Sequence, residues 1–203
     1  MRIFSDLFRI RKDKKFFLRA MGFCSLLAAL GIVSELLGIT IPWSGVTNDK
    51  INIGMSFIIL SGFLFGPIWG ALTALVQDFI GCFLRGEAYL PIFMMAPFLT
   101  GFLSGCFPFV FKKASKKLYG IALYCTFISA VSFFLNTTCI VIEFYNSNFD
   151  TFWVYTVPRL ITQPVKIVLY TAVVFILYCI VLPRIEKTKF APDSDSEKRW
   201  KNY

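Results

Sequence analysis

The 203-residue chain contains no histidine, and its six cysteines are scattered through apolar stretches without a Cys-x-x-Cys pair. A zinc site needs clustered cysteine, or cysteine with histidine, so the sequence predicts no metal, no cofactor and no disulfide framework. Histidine is also the commonest general base in enzymes. No stretch matches GxxxxGK[ST], the loop that cradles nucleotide phosphates. These absences argue against an enzyme and against an ATPase.

Charged residues are scarce as well. Only 16% of the residues are charged, whereas 57% are hydrophobic and 18% aromatic, and the mean hydropathy is +0.67. Soluble domains are about 25% charged and about 45–50% apolar. The composition therefore predicts a protein of several membrane spans within the lipid bilayer. The net charge of +9 comes mainly from basic clusters beside the apolar stretches, where such residues report topology, so no nucleic-acid partner is expected.

The longest uncharged stretch runs from Ile51 to Gln77. It is too long for one comfortable membrane helix of about 20 residues and too short for two full ones. Gly66-Pro67 lies inside it, and proline interrupts a helix but starts one well. The stretch therefore predicts two helices joined by a tight turn. Small residues recur at every fourth position from Gly66, with Asp78 next on the same face, a pattern typical of close helix packing beside a polar site.

Six helices account for the whole hydropathy pattern, near residues 16–37, 52–65, 67–84, 91–111, 118–142 and 158–182. With six spans, the basic N-terminus, the 112–117 loop and the basic C-terminal residues fall on one side, which the positive-inside rule makes cytoplasmic. The predicted fold class is an all-α integral membrane protein. Residues 1–183 would form a six-helix transmembrane bundle with both termini cytoplasmic, and residues 184–203 a disordered cytoplasmic tail. Residues 38–51, 85–91 and 143–157 would be outer loops.

Helix 1 carries a stripe of small residues four apart: Ala20, Cys24 and Ala28. Small residues at this spacing let membrane helices approach closely. The stripe would either pack inside the bundle or dock a partner membrane protein, and both interpretations stay open.

Polar and aromatic residues gather at the predicted outer ends of the helices. Polar groups within membrane spans usually face a polar cavity or pair with one another. Together they would line a pocket with aromatic walls and a cationic floor, which suits a flat, partly anionic small molecule. Alternatively, the cations only neutralise Asp78 or Glu35, and the aromatic residues only sit at the membrane interface. The residues concerned are Asp78, Arg85, Glu87, Tyr89, Asn136, Tyr145, Asn146, Trp153, Tyr155, Arg159, Gln163 and Lys166.

Two motifs resemble a known family. The stretch Gly62 to Gly70 (GFLFGPIWG) and the following Asp78 to Gly81 (DFIG), with six short helices and the helix 1 stripe, are similar to the S component of energy-coupling factor (ECF) vitamin transporters. Within that family the folate type is most similar. Its pattern is carried here by Tyr89-Leu90-Pro91, Asn136-Thr137 and Pro158-Arg159. The resemblance covers residues 16–182.

The resemblance implies a multi-pass protein of the bacterial cell membrane that binds folate from outside. It would not hydrolyse ATP, but would dock on an ECF transmembrane coupling subunit that carries two cytoplasmic ATPase subunits. The helix 1 stripe matches the family's docking surface. Tyr89, Phe93 and Trp153 would stack on the pterin. Asp78 and Asn136 would hydrogen-bond the pterin nitrogens, and Arg85, Arg159 or Lys166 would meet the glutamate carboxylates.

Two other interpretations remain open at this point. The first keeps the family but changes the vitamin to pantothenate, thiamine, riboflavin or a queuosine precursor. The second is a membrane enzyme or scaffold.

Overall fold

The computed structural model of the protein describes residues 14–43, 47–86, 91–106, 118–145 and 149–187. These residues form six helices and one β-hairpin. In chain order they are α1 (Lys14–Leu36), β1 (Ile39–Trp43), β2 (Thr47–Ile51), α2 (Gly54–Phe65), α3 (Pro67–Arg85), α4 (Pro91–Gly105), α5 (Leu118–Tyr145) and α6 (Phe149–Lys187).

Four of the helices are long and apolar enough to cross a membrane. The segments are Phe17–Leu36, Pro67–Arg85, Tyr119–Asn136 and Leu160–Val181, while α2 and α4 are shorter apolar helices. The described chain is thus a helical bundle of the membrane type, as the composition predicts. The count of six spans and the cytoplasmic position of both termini stay predictions.

Helix α2 lies at the centre of the bundle. It packs against α1, α3, α4 and α6, and every one of its residues except Met55 is buried. A helix that is apolar on all sides is expected to be enclosed by others. The remaining helices surround it, because α1 packs on α3, α3 on α4, α4 on α5 and α5 on α6.

The turn predicted at Gly66-Pro67 is confirmed. Gly66 has φ 98° and ψ −179°, a backbone conformation that favours glycine, and Pro67 is the first residue of α3. The Gly66 N–H donates to the Gly62 carbonyl at 2.9 Å, and the Gly70 N–H donates to the Gly66 carbonyl at 3.0 Å. The chain therefore passes from α2 to α3 without a connecting loop.

Glycines allow the backbones of α2, α3 and α4 to come into direct contact. A Cβ added to Gly70 would lie 2.2 Å from the Gly101 carbonyl oxygen, and one added to Gly105 would lie 2.1 Å from the Pro67 nitrogen. Backbone atoms cannot move aside as flexible side chains can. The small-residue stripe that begins at Gly66 thus serves close packing against α4.

Three predicted boundaries are wrong. Residues 38–51 are not a simple loop, since β1 and β2 pair antiparallel from Ile39 with Ile51 to Trp43 with Thr47, and β-branched residues there favour strands. Most of the predicted loop 143–157 is helical, because α5 extends to Tyr145 and α6 begins at Phe149. Helix α6 continues to Lys187, so residues 184–187 are helical and not part of a disordered tail. Helix α4 ends at Gly105, and residues 107–111 lie outside the described residues, as do residues 188–203 of the predicted tail.

Candidate functional site

Glu35 joins α1 to α3 at one end of the bundle. Gln77 Nε2 donates to Glu35 Oε1 at 2.7 Å, and Arg85 Nη1 donates to Glu35 Oε2 at 3.0 Å. Gln77 is fully buried, and the side chains of Arg85 and Glu35 are each 20% exposed. A charged group within a membrane bundle is expected to pair in this way. Glu35 is therefore neutralised by Arg85, a pair not predicted from the sequence. The predicted pairing of Arg159 or Lys166 with Asp78 or Glu35 stays a prediction.

Three glycines make room for this cluster. A Cβ on Gly31 would lie 2.0 Å from Gln77 Oε1, one on Gly54 2.8 Å from Glu35 Cγ, and one on Gly81 3.0 Å from Glu35 Oε2. These glycines come from α1, α2 and α3. The cluster therefore fixes the C-terminal ends of α1 and α3 against the N-terminus of α2. The sequence contains a pattern that could have indicated this cluster, because Gly31 lies one turn before Glu35 and Gly81 lies one turn before Arg85.

Lys166 on α6 is a buried cation, at 9% exposure. Thr162, one turn earlier on the same face, is buried too, and Gln163 is half-buried. A buried cation in a membrane helix marks a functional position by default. The structure thus supplies a cationic group inside the bundle, on the side formed by α5 and α6.

The other predicted site residues lie at different depths. Asp78 on α3 and Phe93 on α4 are half-buried, and Asn136 on α5 is exposed. Tyr89 and Glu87 lie outside the described residues. Trp153 and Arg159 belong to the first turns of α6, and their side chains lie outside what the structure describes. The described members therefore divide between an α3–α4 group and an α5–α6 group.

The helix 1 stripe faces the interior. Ala20, Cys24 and Ala28 are 0%, 5% and 2% exposed, and the first two belong to an apolar cluster with α2 residues and Trp69. This burial matches the packing interpretation. It corrects the docking interpretation, because a partner subunit could not touch these side chains in this structure.

Comparisons with known proteins agree with this architecture. The family model described as "ECF transporter, substrate-specific component" matches residues 19–178. None of the curated proteins matches the chain. Among solved structures, the crystal structure of FolT bound with folic acid has the same fold, with a TM-score of 0.61 and 21% identity, covering 78% of this chain and 92% of FolT. Since the family model spans most of the sequence, the chain belongs to the ECF transporter substrate-specific components, which are substrate-binding subunits and not enzymes.

Proposed function

We propose that this S component captures folate from outside the cell for ATP-driven uptake. The observation that carries the proposal is the fold shared with FolT, which was crystallised with folic acid, over 78% of the chain. The folate-type motifs in the sequence support the same substrate. The substrate-binding role belongs to the family, and folate is the part that we add.

Lys166 supplies the electrostatic part of the proposal. Folate has a flat pterin ring at one end and a glutamate with two carboxylates at the other. An ammonium group held inside a membrane bundle attracts a carboxylate more strongly than the same group in water, because the surroundings have a low dielectric constant. Because Lys166 is buried inside the bundle, we assign the substrate carboxylate to it, with Arg159 as the second cation. Gln163 is half-buried one turn before Lys166 and would assist it.

The remaining predicted residues keep their assigned roles in the proposal. The aromatic side chains would stack on the pterin, and the carboxylate and the amide would hydrogen-bond its nitrogens. These residues are Tyr89, Phe93, Trp153, Asp78 and Asn136.

The energy for uptake would come from partner subunits. The chain has no phosphate-binding loop of the GxxxxGK[ST] type, and S components work with an ECF module. We propose docking on a transmembrane coupling subunit with two cytoplasmic ATPases, in the cell membrane of a bacterium. In this arrangement the chain spans the membrane six times with both termini cytoplasmic. A fluorescent-protein fusion after Tyr203 should then mature and fluoresce, whereas an outside terminus would leave it dark.

Calorimetric titration of the purified full chain in detergent tests the substrate. Folate should bind saturably, and Lys166→Gln should weaken binding by roughly 10- to 100-fold, because the carboxylate loses a charged partner worth about 1.5–3 kcal/mol. Arg19→Gln is the matched control, since it removes an exposed cation from α1 and should leave the affinity unchanged. Binding of pantothenate, thiamine, riboflavin or a queuosine precursor in place of folate would refute the substrate. Binding of no vitamin would refute the proposal and favour a scaffold.

A further inference from the structure

Two buried serine hydroxyls differ from their neighbours. Helical serine and threonine commonly hydrogen-bond a carbonyl of the preceding turn. Ser61 and Ser104 do so, donating to the carbonyls of Ile58 at 2.8 Å and Gly101 at 2.7 Å. Among the described residues, the hydroxyl oxygens of Ser34, Ser56, Ser129 and Thr171 are buried without a hydrogen-bond partner. Of these four residues, only Ser56 and Ser129 are buried as whole side chains. A buried polar group without a partner requires an explanation.

The two hydroxyls lie towards the same end of the bundle. Ile59 on α2 and Ile128 on α5 belong to one apolar cluster, and Phe63 contacts Tyr124 with ring centroids 6.0 Å apart. Residue numbers therefore increase along α5 in the direction in which they decrease along α2, so the two helices are antiparallel. Ser56 precedes Ile59 by one turn and Ser129 follows Ile128, so both lie on the same side of the isoleucine layer, towards the α2 N-terminus.

Helix α6 changes from apolar to polar at the same layer. Its buried face carries Val174, Tyr170, Lys166 and Thr162 at every fourth position, with exposures of 0%, 8%, 9% and 4%. Val174 belongs to the apolar cluster of Ile59 and Ile128. The polar residues therefore continue from that layer in the direction of the two serines. Lys166 lies eight residues before Val174, about 12 Å along the helix axis.

On the other side of the isoleucine layer, away from the two serines, the helices meet through aromatic side chains. The Phe63 ring meets Tyr124 of α5 and Tyr178 of α6, with centroids 6.0 and 6.3 Å apart. These contacts are between side chains, unlike the glycine contacts that hold α2 to α4. Side chains can rearrange where backbone contacts cannot. The region between α2, α5 and α6 is thus where a ligand can enter with the least disturbance of the bundle.

We propose that Ser56 and Ser129 are substrate-binding residues that hydrogen-bond the polar ring of the substrate at the deep end of a site between α2, α5 and α6. Lys166 receives the carboxylate at the shallow end. This inference rests on the proposed function and deepens it. It selects an elongated ligand, with a flat heterocycle that can hydrogen-bond and an anionic group roughly one to two helical turns away. A compact vitamin would not reach both the serines and Lys166. A cationic vitamin such as thiamine would not be attracted by the Lys166 ammonium group.

Serine-to-alanine variants test the inference in the full-length chain. Ser56→Ala and Ser129→Ala should each weaken folate binding about tenfold in calorimetry, the effect of losing one ligand hydrogen bond of about 1.4 kcal/mol. Ser61→Ala is the matched control, since Ser61 is equally buried on α2 but bonds its own helix, and its affinity should not change. In thermal unfolding without ligand, Ser56→Ala and Ser129→Ala should be as stable as the parent or more stable, because no bond is lost.

The outcomes separate the two proposals. If the parent binds folate and both variants bind it equally well, the inference is wrong and the proposed function stands. A variant with a lowered unfolding temperature as well as a lowered affinity would also overturn the inference, because the hydroxyl would then be structural. If the parent binds another vitamin instead, the folate proposal fails, and the inference stands only if Ser56→Ala and Ser129→Ala both weaken the binding of that vitamin. Failure to bind any vitamin of the panel overturns both.

Discussion

Replacing Glu35 with alanine should destabilise the bundle, because one carboxylate serves two partners on α3. Gln77 is fully buried, so its Nε2, 2.7 Å from Glu35 Oε1, would become a buried donor without an acceptor. That loss costs about 1–3 kcal/mol. The pair with Arg85 is partly exposed, at 20% for each side chain, and its loss adds roughly 1 kcal/mol. We expect the free energy of unfolding to fall by about 2–3 kcal/mol, since interhelical bonds in membranes lie at the low end of these ranges.

Glu35→Gln separates the two contributions. The new amide keeps a carbonyl oxygen that accepts from Gln77, but it removes the charge that pairs with Arg85. We therefore expect a fall of only about 1 kcal/mol. Unfolding by dodecyl sulfate in mixed micelles measures both variants against Arg19→Gln, an exposed change on α1 that should shift stability by less than about 0.5 kcal/mol.

Equal losses in the alanine and glutamine variants of Glu35 would refute the assignment of the larger share to Gln77. The pairing itself is tested by the double variant with Arg85→Ala. Residues in contact show a coupling of about 0.5–3 kcal/mol in such cycles. Strictly additive losses would mean that the 3.0 Å contact between Arg85 and Glu35 contributes nothing to stability.

Four further substitutions have expected outcomes. Gly101→Ala places a Cβ 2.3 Å from the Gly70 carbonyl oxygen and should abolish the monodisperse peak in size-exclusion chromatography. Gly22→Ala, which meets nothing within 4 Å, should instead stabilise α1 by about 0.5–1 kcal/mol in thermal unfolding. Gly66→Ala must adopt φ 98°, and the unfolding free energy should drop by roughly 1–3 kcal/mol. Lys166→Gln should bind folate roughly 10- to 100-fold more weakly in calorimetry, because the carboxylate of the ligand loses its charged partner. Unchanged affinity would refute the assignment of the carboxylate to Lys166.

The central part of the fold could be predicted because two local rules agreed there. The uncharged stretch from Ile51 to Gln77 exceeds one span, and Pro67 sets the boundary within it. The structure gives Gly54–Phe65 and Pro67–Arg85 for these helices, against predicted ranges of 52–65 and 67–84. Neither rule depends on distant residues, so no knowledge of packing was needed.

The start of α6 could not be predicted in the same way. Residues 149–157 are rich in aromatic and polar side chains, which are typical of a membrane interface. The same segment carries Phe149, Phe152, Trp153, Thr156 and Val157 at helical spacing. Composition and periodicity therefore gave opposite answers, and the structure follows periodicity.

Helix α1 shows why a pattern of small residues does not identify a binding surface. It carries two such stripes, one with Ala20, Cys24 and Ala28, and another with Gly22, Ser25 and Ala29. The first stripe is buried and the second is exposed. Both satisfy the same spacing rule, so the sequence of α1 cannot show which of them α2 and α3 cover.

The candidate site depends on packing to a greater degree still. Arg85 and Glu35 stand fifty positions apart, and only the packing of α1 against α3 brings them into contact. Ser56 and Ser61 are the same residue type on one helix, both fully buried. They differ because Ser61 donates to its own helix, whereas Ser56 has no partner among the described residues. That difference belongs to side-chain conformation and to the neighbours, so the hydroxyls that we assign to the substrate could not have been selected from the sequence.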